Sequence, residues 1–414
     1  MKKLCQVTVV LLLLLALGQS AFAQIDTTRG RYYQPIFPNV TVTSSVTYGS
    51  AVTFSGGTQT LAMDIYQPAG DTVSRRPVII FAHQGGFVSG SRTDQYMVDV
   101  CTRLARLGYV TASIDYRLLF LPYDTVNIAR AAVRGMQDMR AAVRFFRQDA
   151  ATVRLYRVNP RYIVVGGSSA GGFMALQVGY LDKNSEVPGY VDVAALGGVE
   201  GESGNPGYSS SVLAVLNLSG GTESENYIEP GNAPLCSVHG TADAVVPYFK
   251  GRTGASLPPK YVVGSGLLNP RATAVGVRNT LRTLRGAGHI PFESTGASGP
   301  AYADTTFWTI RDFLRLSLGQ PGTVLSTATT AANSSRGGTA PQVYPMPATT
   351  EIYLTVPAGI AFKPQQAELL DATGRVVRRF RWERANQAVT RNDLKPGLYF
   401  LRSEKMGSTR LVFE

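Results

Sequence analysis

Serine, aspartate and histidine together make an acyl-transfer site, and this chain carries candidates in the order Ser169, Asp243, His289. Ser169 is the centre of Gly167-Ser168-Ser169-Ala170-Gly171, a Gly-x-Ser-x-Gly run between an apolar stretch and a helical pattern. That context predicts a sharp strand-to-helix turn that lifts the serine to a helix N-terminus, where developing negative charge is favoured. Ser168 is the neighbouring alternative, but Gly166 and Ala170 flank it less well. The sequence holds three histidines, so an imidazole base must be His83, His239 or His289. His239, in Val238-His239-Gly240, reads as a packed structural residue, and His83 as a brace for its loop. His289, in the loop Gly286-Ala287-Gly288-His289, is by elimination the expected base. Asp243 follows an apolar strand in a tight loop, where an acid can orient and stabilise an imidazolium. Glu293 and Asp304 are the other acids near His289.

His83-Gln84-Gly85-Gly86-Phe87 directly follows the apolar run 78–82. The backbone N–H groups of Gly85 and Gly86, with that of Ala170, are the expected oxyanion donors, each worth about 3 kcal/mol in the transition state. The alternative is an ordinary glycine turn. Phe87, Val245 and Val246 are expected to line an acyl pocket, and residues 200–234 to form a cover over the site. Such chemistry requires no cofactor. The three cysteines contain no Cys-x-x-Cys pair, which excludes a multi-cysteine zinc site. Cys101 and Cys236 are expected as buried thiols, with a disulfide as the alternative.

The elements that must position these residues alternate. Residues 61–66 alternate apolar and polar, as a half-buried strand does. The runs 78–82, 109–114, 162–165 and 235–238 are short and apolar, as strands buried on both faces are. Helices are expected over 96–107, through the face Ile128, Ala132, Met136, Met139, Val143 and Phe146, over 173–180, and over 306–317. Asn159-Pro160 is expected to break the chain before its strand. Strand–helix alternation predicts an α/β fold, a parallel sheet wrapped by helices. Hydrophobic residues at 44% against 16% charged suffice for a sizeable core. The net charge of +12 is scattered, with no run of five basic residues, which favours a solvated basic surface over nucleic-acid binding.

The first residues, Met1-Lys2-Lys3, an apolar run 7–17 and Ala21-Phe22-Ala23, have the layout of a secretory signal removed after Ala23. No other stretch is apolar enough for a transmembrane helix. Residues 320–341 are mostly Thr, Ala, Ser and Gly, the composition of a linker. Beyond it, short strand patterns between Gly and Pro turns predict a small β-sandwich.

Given these motifs, residues from about 55 to 317 resemble an α/β-hydrolase of the esterase/lipase kind, closest in flavour to hormone-sensitive-lipase-like and polysaccharide-ester esterases. Asp115-Tyr116-Arg117-Leu118 is similar to a segment whose Asp and Arg brace the fold there. Two departures stand out: Gln84 replaces a glycine of the oxyanion loop, and Ser168 replaces the acid that usually precedes the nucleophile. Val343-Tyr344-Pro345-Met346-Pro347-Ala348 resembles the opening of type IX secretion sorting domains, with Met346 in place of an asparagine. Leu370-Asp371-Ala372-Thr373-Gly374 and Leu394-Lys395-Pro396-Gly397 are similar to their later pattern. The resemblances imply a signal peptide (1–23), a catalytic domain (24–318), a linker (319–341) and a sorting domain (342–414). They imply a secreted serine ester hydrolase whose substrate is a small-molecule or polysaccharide ester and whose partner is the type IX secretion machinery. A prolyl-oligopeptidase-like peptidase shares the elbow and the residue order but normally carries a propeller before it. A non-catalytic binding protein on the same scaffold would lack a member of the three.

Overall fold

The computed structural model describes Ile25 and residues 30–120, 122–254, 258–318, 342–344, 351–356, 362–371, 375–395, 397–403 and 407–413. The signal segment with Cys5, the linker 319–341 and the motif residues 345–349 lie outside the described residues. The chain divides into two compact units, one ending at Ser326 and the other beginning at Thr327.

Strands of the first unit are β1 (Val40–Val52), β2 (Thr58–Pro68), β3 (Arg76–Ala82), β4 (Val110–Ile114), β5 (Val158–Ser168), β6 (Ala214–Leu218), β7 (Leu235–Gly240), β8 (Lys250–Arg252), β9 (Tyr261–Val263) and β10 (Asn279–Leu284). Its helices are α1 (Gln95–Arg106), α2 (Thr125–Ala151), α3 (Ala170–Tyr180), α4 (Ser265–Ala274) and α5 (Gly299–Leu318). Eight strands form one sheet in the order β1-β2-β4-β3-β5-β6-β7-β10. The pairs β1/β2 and β2/β4 are antiparallel, and every pair from β4 to β10 is parallel. Strands β8 and β9 form a separate antiparallel hairpin.

The apolar runs explain this arrangement. Side chains alternate across a strand, so a run with no polar position feeds two cores. Val78, Ile80 and Ala82 of β3 enter a core with Met136, Met139 and Val143 of α2 and Met174 of α3. Ile79 and Phe81 enter the opposite core with Met97, Val100 and Leu104 of α1 and Ile310, Phe313 and Leu314 of α5. Cys101 and Cys236 are buried free thiols. Burial pushes the Cys101 thiol up to about 12, so it stays protonated at neutral pH.

Two expectations are corrected. Strand β5 begins at Val158, so Asn159-Pro160 lies within it, not before it. Pro160 sits where the register to β3 shifts, between the pairs Arg76↔Val158 and Val78↔Ile163, and this irregularity tolerates its missing N–H. Residues 200–234 do not form one continuous cover. Residues 214–218 are β6, the strand beside β5. Ser203 donates to Asp138 on α2 at 2.6 Å, and Asn205 to the Tyr48 carbonyl on β1 at 2.7 Å.

The second unit is antiparallel throughout. A three-stranded sheet joins β11 (Gln342–Tyr344), β12 (Glu351–Thr355) and β15 (Asn386–Thr390). A four-stranded sheet has the order β14-β13-β16-β17, with β13 Gln365–Asp371, β14 Val376–Trp382, β16 Gly397–Ser403 and β17 Gly407–Phe413. Ile352, Leu354 and Val389 from the first sheet share one core with Leu369, Trp382, Leu401 and Phe413 from the second. This is the expected small sandwich.

Candidate active site

Ser169 stands between the end of β5 and the start of α3 with φ +50° and ψ −113°, a conformation that L-residues rarely adopt. Close packing forces the turn. A Cβ at Gly167 would lie 2.4 Å from the Gly171 carbonyl carbon, and one at Gly171 would lie 2.0 Å from the Ala82 oxygen on β3. Both flanking glycines are therefore steric necessities of the Gly-x-Ser-x-Gly run. The Ser169 N–H donates to the Leu218 carbonyl of β6 at 2.9 Å, which pins the elbow to the neighbouring strand.

His289 lies beside this serine. Its Nε2 is 2.8 Å from Ser169 Oγ, and its Nδ1 is 2.8 Å from Asp243 Oδ2. The ionised carboxylate can only accept, so Nδ1 carries the proton and Nε2 presents its lone pair to the serine hydroxyl. Asp243 Oδ1 accepts from the Val245 and Val246 N–H groups at 2.9 and 2.8 Å. Burial alone would raise this carboxyl. Hydrogen bonds from His239, His289 and the Val246 N–H, with the His289 charge, instead hold it well below the usual carboxylate range. Glu293 and Asp304 do not take this position. Asp304 pairs with Arg103.

His239 has a part that its sequence context did not reveal. It is fully buried, as expected, but its Nε2 lies 3.2 Å from Asp243 Oδ2 and 3.1 Å from the Val246 carbonyl. Two acceptors there require Nε2–H, leaving Nδ1 to accept from Ser265 Oγ at 2.9 Å. Ser265 in turn receives Asn217 Nδ2 at 3.2 Å. The acid is thus oriented by a buried series running from β6 through α4 to β7. A histidine four residues before the acid was the only available signal.

The loop after β3 is equally constrained. Gly85 has φ +114°, Gly86 +59° and Phe87 +63°. Tyr116 stacks on the His83 ring with centroids 4.3 Å apart, and its hydroxyl donates to the His83 carbonyl at 3.1 Å. His83 is buried, which lowers its pKa and keeps it neutral. Asp115 and Arg117 face away from this chemistry. Asp115 pairs with Arg92, and Arg117 with Asp138 at 2.7 Å.

A cavity opens against Ser169 Oγ. Gly86, Phe87, Ala170 and Phe173 form one side of it, Ile128, Ala129 and Ala132 of α2 a second. Thr222, Glu223, Thr253, Pro258, Lys260 and Val262 close the third. Lys260, between β8 and β9, contacts the Glu223 carboxylate and donates to the Tyr190 hydroxyl at 2.7 Å. The lining is therefore mostly apolar, with Glu223 and Lys260 its charged members. A Cβ at Gly85 would lie 2.0 Å from the Ser89 oxygen, so the turn there requires glycine. The Val246 side chain is wholly buried and, contrary to expectation, does not line this cavity. Among the described residues, no group of His, Cys, Asp and Glu is arranged to hold a metal ion.

Comparisons with known proteins agree with this architecture. Residues 63–223 match the BD-FAE family, and residues 342–412 match the secretion system C-terminal sorting domain. The chain is 33% identical over 113 residues to neutral cholesterol ester hydrolase 1 of Rattus norvegicus, covering 27% of this chain and 25% of that protein. It is 32% identical over 117 residues to esterase LipC of Mycobacterium tuberculosis, covering 28% and 26%. The chain thus spans about a quarter of the length of the curated relatives it matches. Among solved structures, esterase 2 of Thermogutta terrifontis aligns with a TM-score of 0.50 at 24% identity, over 68% of this chain and 95% of that one. That likeness concerns the fold. No helix among the described residues is long and apolar enough to cross a membrane, and a sorting tail indicates export to the cell surface or beyond. The chain therefore joins an esterase-like α/β-hydrolase fold, matched to BD-FAE over residues 63–223, to a secretion system C-terminal sorting domain.

Proposed function

We propose that the protein is a secreted serine carboxylic-ester hydrolase, with Ser169 as nucleophile, His289 as general base and acid, and Asp243 as the group that orients His289. The observation that carries this reading is the pair of 2.8 Å contacts from His289, one to Ser169 Oγ and one to Asp243 Oδ2. Ser169 Oγ attacks the ester carbonyl carbon as Nε2 takes its proton. The resulting oxyanion accepts hydrogen bonds from the N–H groups of Gly86 and Ala170, both of which line the cavity. Collapse breaks the ester C–O bond, and His289 returns the proton to the departing alcohol. Water, deprotonated by His289, then attacks the acyl–enzyme carbonyl; the acyl–Oγ bond breaks, His289 returns the proton to Ser169 Oγ, and the acid is released. Asp243 stays ionised throughout and stabilises the imidazolium.

The acyl group is assigned to the apolar lining of Phe87, Ala129 and Phe173, and the alcohol to the side of Glu223 and Lys260. Acyl esters carried on polysaccharide are the substrate this reading extends to, since an exported enzyme meets its esters outside the cell. Residues 1–23 are read as the leader, 24–318 as the catalytic domain and 319–341 as the linker to the tail. Hydrolysis of p-nitrophenyl acetate and butyrate by the purified chain and by Ser169→Ala tests the proposal. Turnover that vanishes in the variant supports it, and equal turnover in both proteins refutes it.

A further inference from the structure

The two N–H groups assigned to the oxyanion come from separate pieces of chain, Gly86 in the loop after β3 and Ala170 at the start of α3. Their spacing depends on what holds that loop against the elbow. The two approach closely: a Cβ at Gly171 would lie 2.0 Å from the Ala82 oxygen and 3.0 Å from the His83 oxygen. The loop is also strained. Gly85, Gly86 and Phe87 all have positive φ, and an aromatic L-residue takes that conformation only where its surroundings impose it. Inside the loop, the Gly85 carbonyl accepts from the Val88 and Ser89 N–H groups at 3.0 and 3.1 Å. A trans peptide points its N–H opposite its carbonyl, so these bonds turn the Gly86 N–H away from residues 88 and 89. They orient the donor, but they do not tie the loop to the rest of the sheet.

That tie comes from residues 115–119, directly after β4. At the start of the loop, the buried Tyr116 donates its hydroxyl to the His83 carbonyl at 3.1 Å. At its end, the Leu119 N–H donates to the Phe87 carbonyl at 2.7 Å. Between these points the Tyr116 ring stacks on His83 with centroids 4.3 Å apart and meets the Phe87 ring edge-on at 6.2 Å. The segment is itself anchored. The Asp115 N–H donates to the Ala62 carbonyl on β2 and the Arg117 N–H to Asp138 on α2, each at 2.9 Å. The resemblance noted above gives Asp115 and Arg117 a bracing role and leaves the tyrosine between them unassigned. We propose that Tyr116 is a positioning residue for the hydrolysis. By holding the His83 carbonyl and stacking on its ring, it keeps the Gly86 N–H in register with the Ala170 N–H, so that both reach one oxyanion.

This inference rests on the serine-hydrolase reading for its kinetic arm and has a second arm that does not. Tyr116→Phe removes the hydroxyl and keeps the ring. With p-nitrophenyl acetate it is expected to lose about 10-fold in kcat, the size of one buried hydrogen bond, with KM within about two-fold of the natural chain. Inhibition by butylboronic acid, whose tetrahedral adduct on Ser169 puts an oxygen where the oxyanion forms, should weaken by a similar factor. Tyr180→Phe is the control. Tyr180 is also buried, its hydroxyl donates to the Ala233 carbonyl at 3.0 Å, and it lies off the cavity wall. This variant is expected to keep kcat and boronate affinity. Undiminished kcat in Tyr116→Phe, or an equal loss in both variants, would overturn the proposal. In the second arm, amide hydrogen exchange of the full chain is read by mass spectrometry. Tyr116→Phe is expected to exchange faster than the natural chain over residues 83–90, with α2 and the second unit unchanged. Unaltered exchange in that loop would overturn the proposal too. If the natural chain hydrolyses no ester, the serine-hydrolase reading fails, and loop exchange alone decides whether Tyr116 holds the loop.

Discussion

The two units bury their strands differently. In the first, β3 sends alternate side chains into two separate cores, one on each face of a mostly parallel sheet. In the second, two antiparallel sheets share one core, and β14 leaves Arg379 and Arg381 exposed, with Trp382 inside. Parallel strands all end at the same edge, so the loops that follow them converge. That edge gathers the Gly85–Phe87 turn after β3, Ser169 after β5, Asp243 after β7 and His289 after β10. Antiparallel strands send successive turns to opposite edges, and the tail's charges are spent in surface pairs such as Glu368 with Arg379. On the proposed reading, chemistry belongs to the first unit, and recognition by the export machinery to the second.

The most severe way to break this division is at Ser169. Ser169→Ala is expected to lower kcat by at least about 10⁴-fold while leaving Tm unchanged, as read by ester hydrolysis and calorimetry. Core truncations come next and should separate the units. Trp382→Ala is expected to destabilise the tail by about 3–5 kcal/mol without altering ester hydrolysis, whereas Phe81→Ala, equally buried in the sheet, should cost as much and remove activity with it. A tail mutation that abolished hydrolysis would contradict the division. Smaller still is His239→Ala, which strips one donor from Asp243 and leaves Ser265 without its acceptor. About 1–3 kcal/mol of stability should be lost, with a drop in kcat, by denaturant titration and steady-state kinetics. Finally, Asp243 has a depressed carboxyl, so its stabilisation is complete above the unfolded carboxylate value and is lost as pH falls through the folded one. The Tm difference between the natural chain and Asp243→Asn should therefore narrow below about pH 4.

The sheet was legible because uninterrupted apolar runs such as Val78-Ile79-Ile80 leave few alternatives. Helix ends were less so: α5 begins at Gly299, a turn and more before the apolar pattern at 306. Pro160 misled because a proline normally ends an element, and a register shift in β5 absorbs it. At the site, Ser169, Asp243 and His289 were nameable from spacing, since few residues of those types follow strand patterns. The Lys260–Glu223 pair was hidden because it depends on a contact between loops far apart in the chain, and the part of His239 because Ser265, which bonds its Nδ1, lies 26 residues on. Val246 was expected on the cavity wall from its place after the acid, whereas its side chain is wholly buried.

The central claim is that Ser169 is the nucleophile. The most direct measurement is the mass of the chain and of its peptides after treatment with diethyl p-nitrophenyl phosphate. The account predicts a single diethylphosphoryl adduct on Ser169, formed as hydrolysis is lost and absent in His289→Ala. An adduct confined to another serine, or lost activity with Ser169 unmodified, would contradict it.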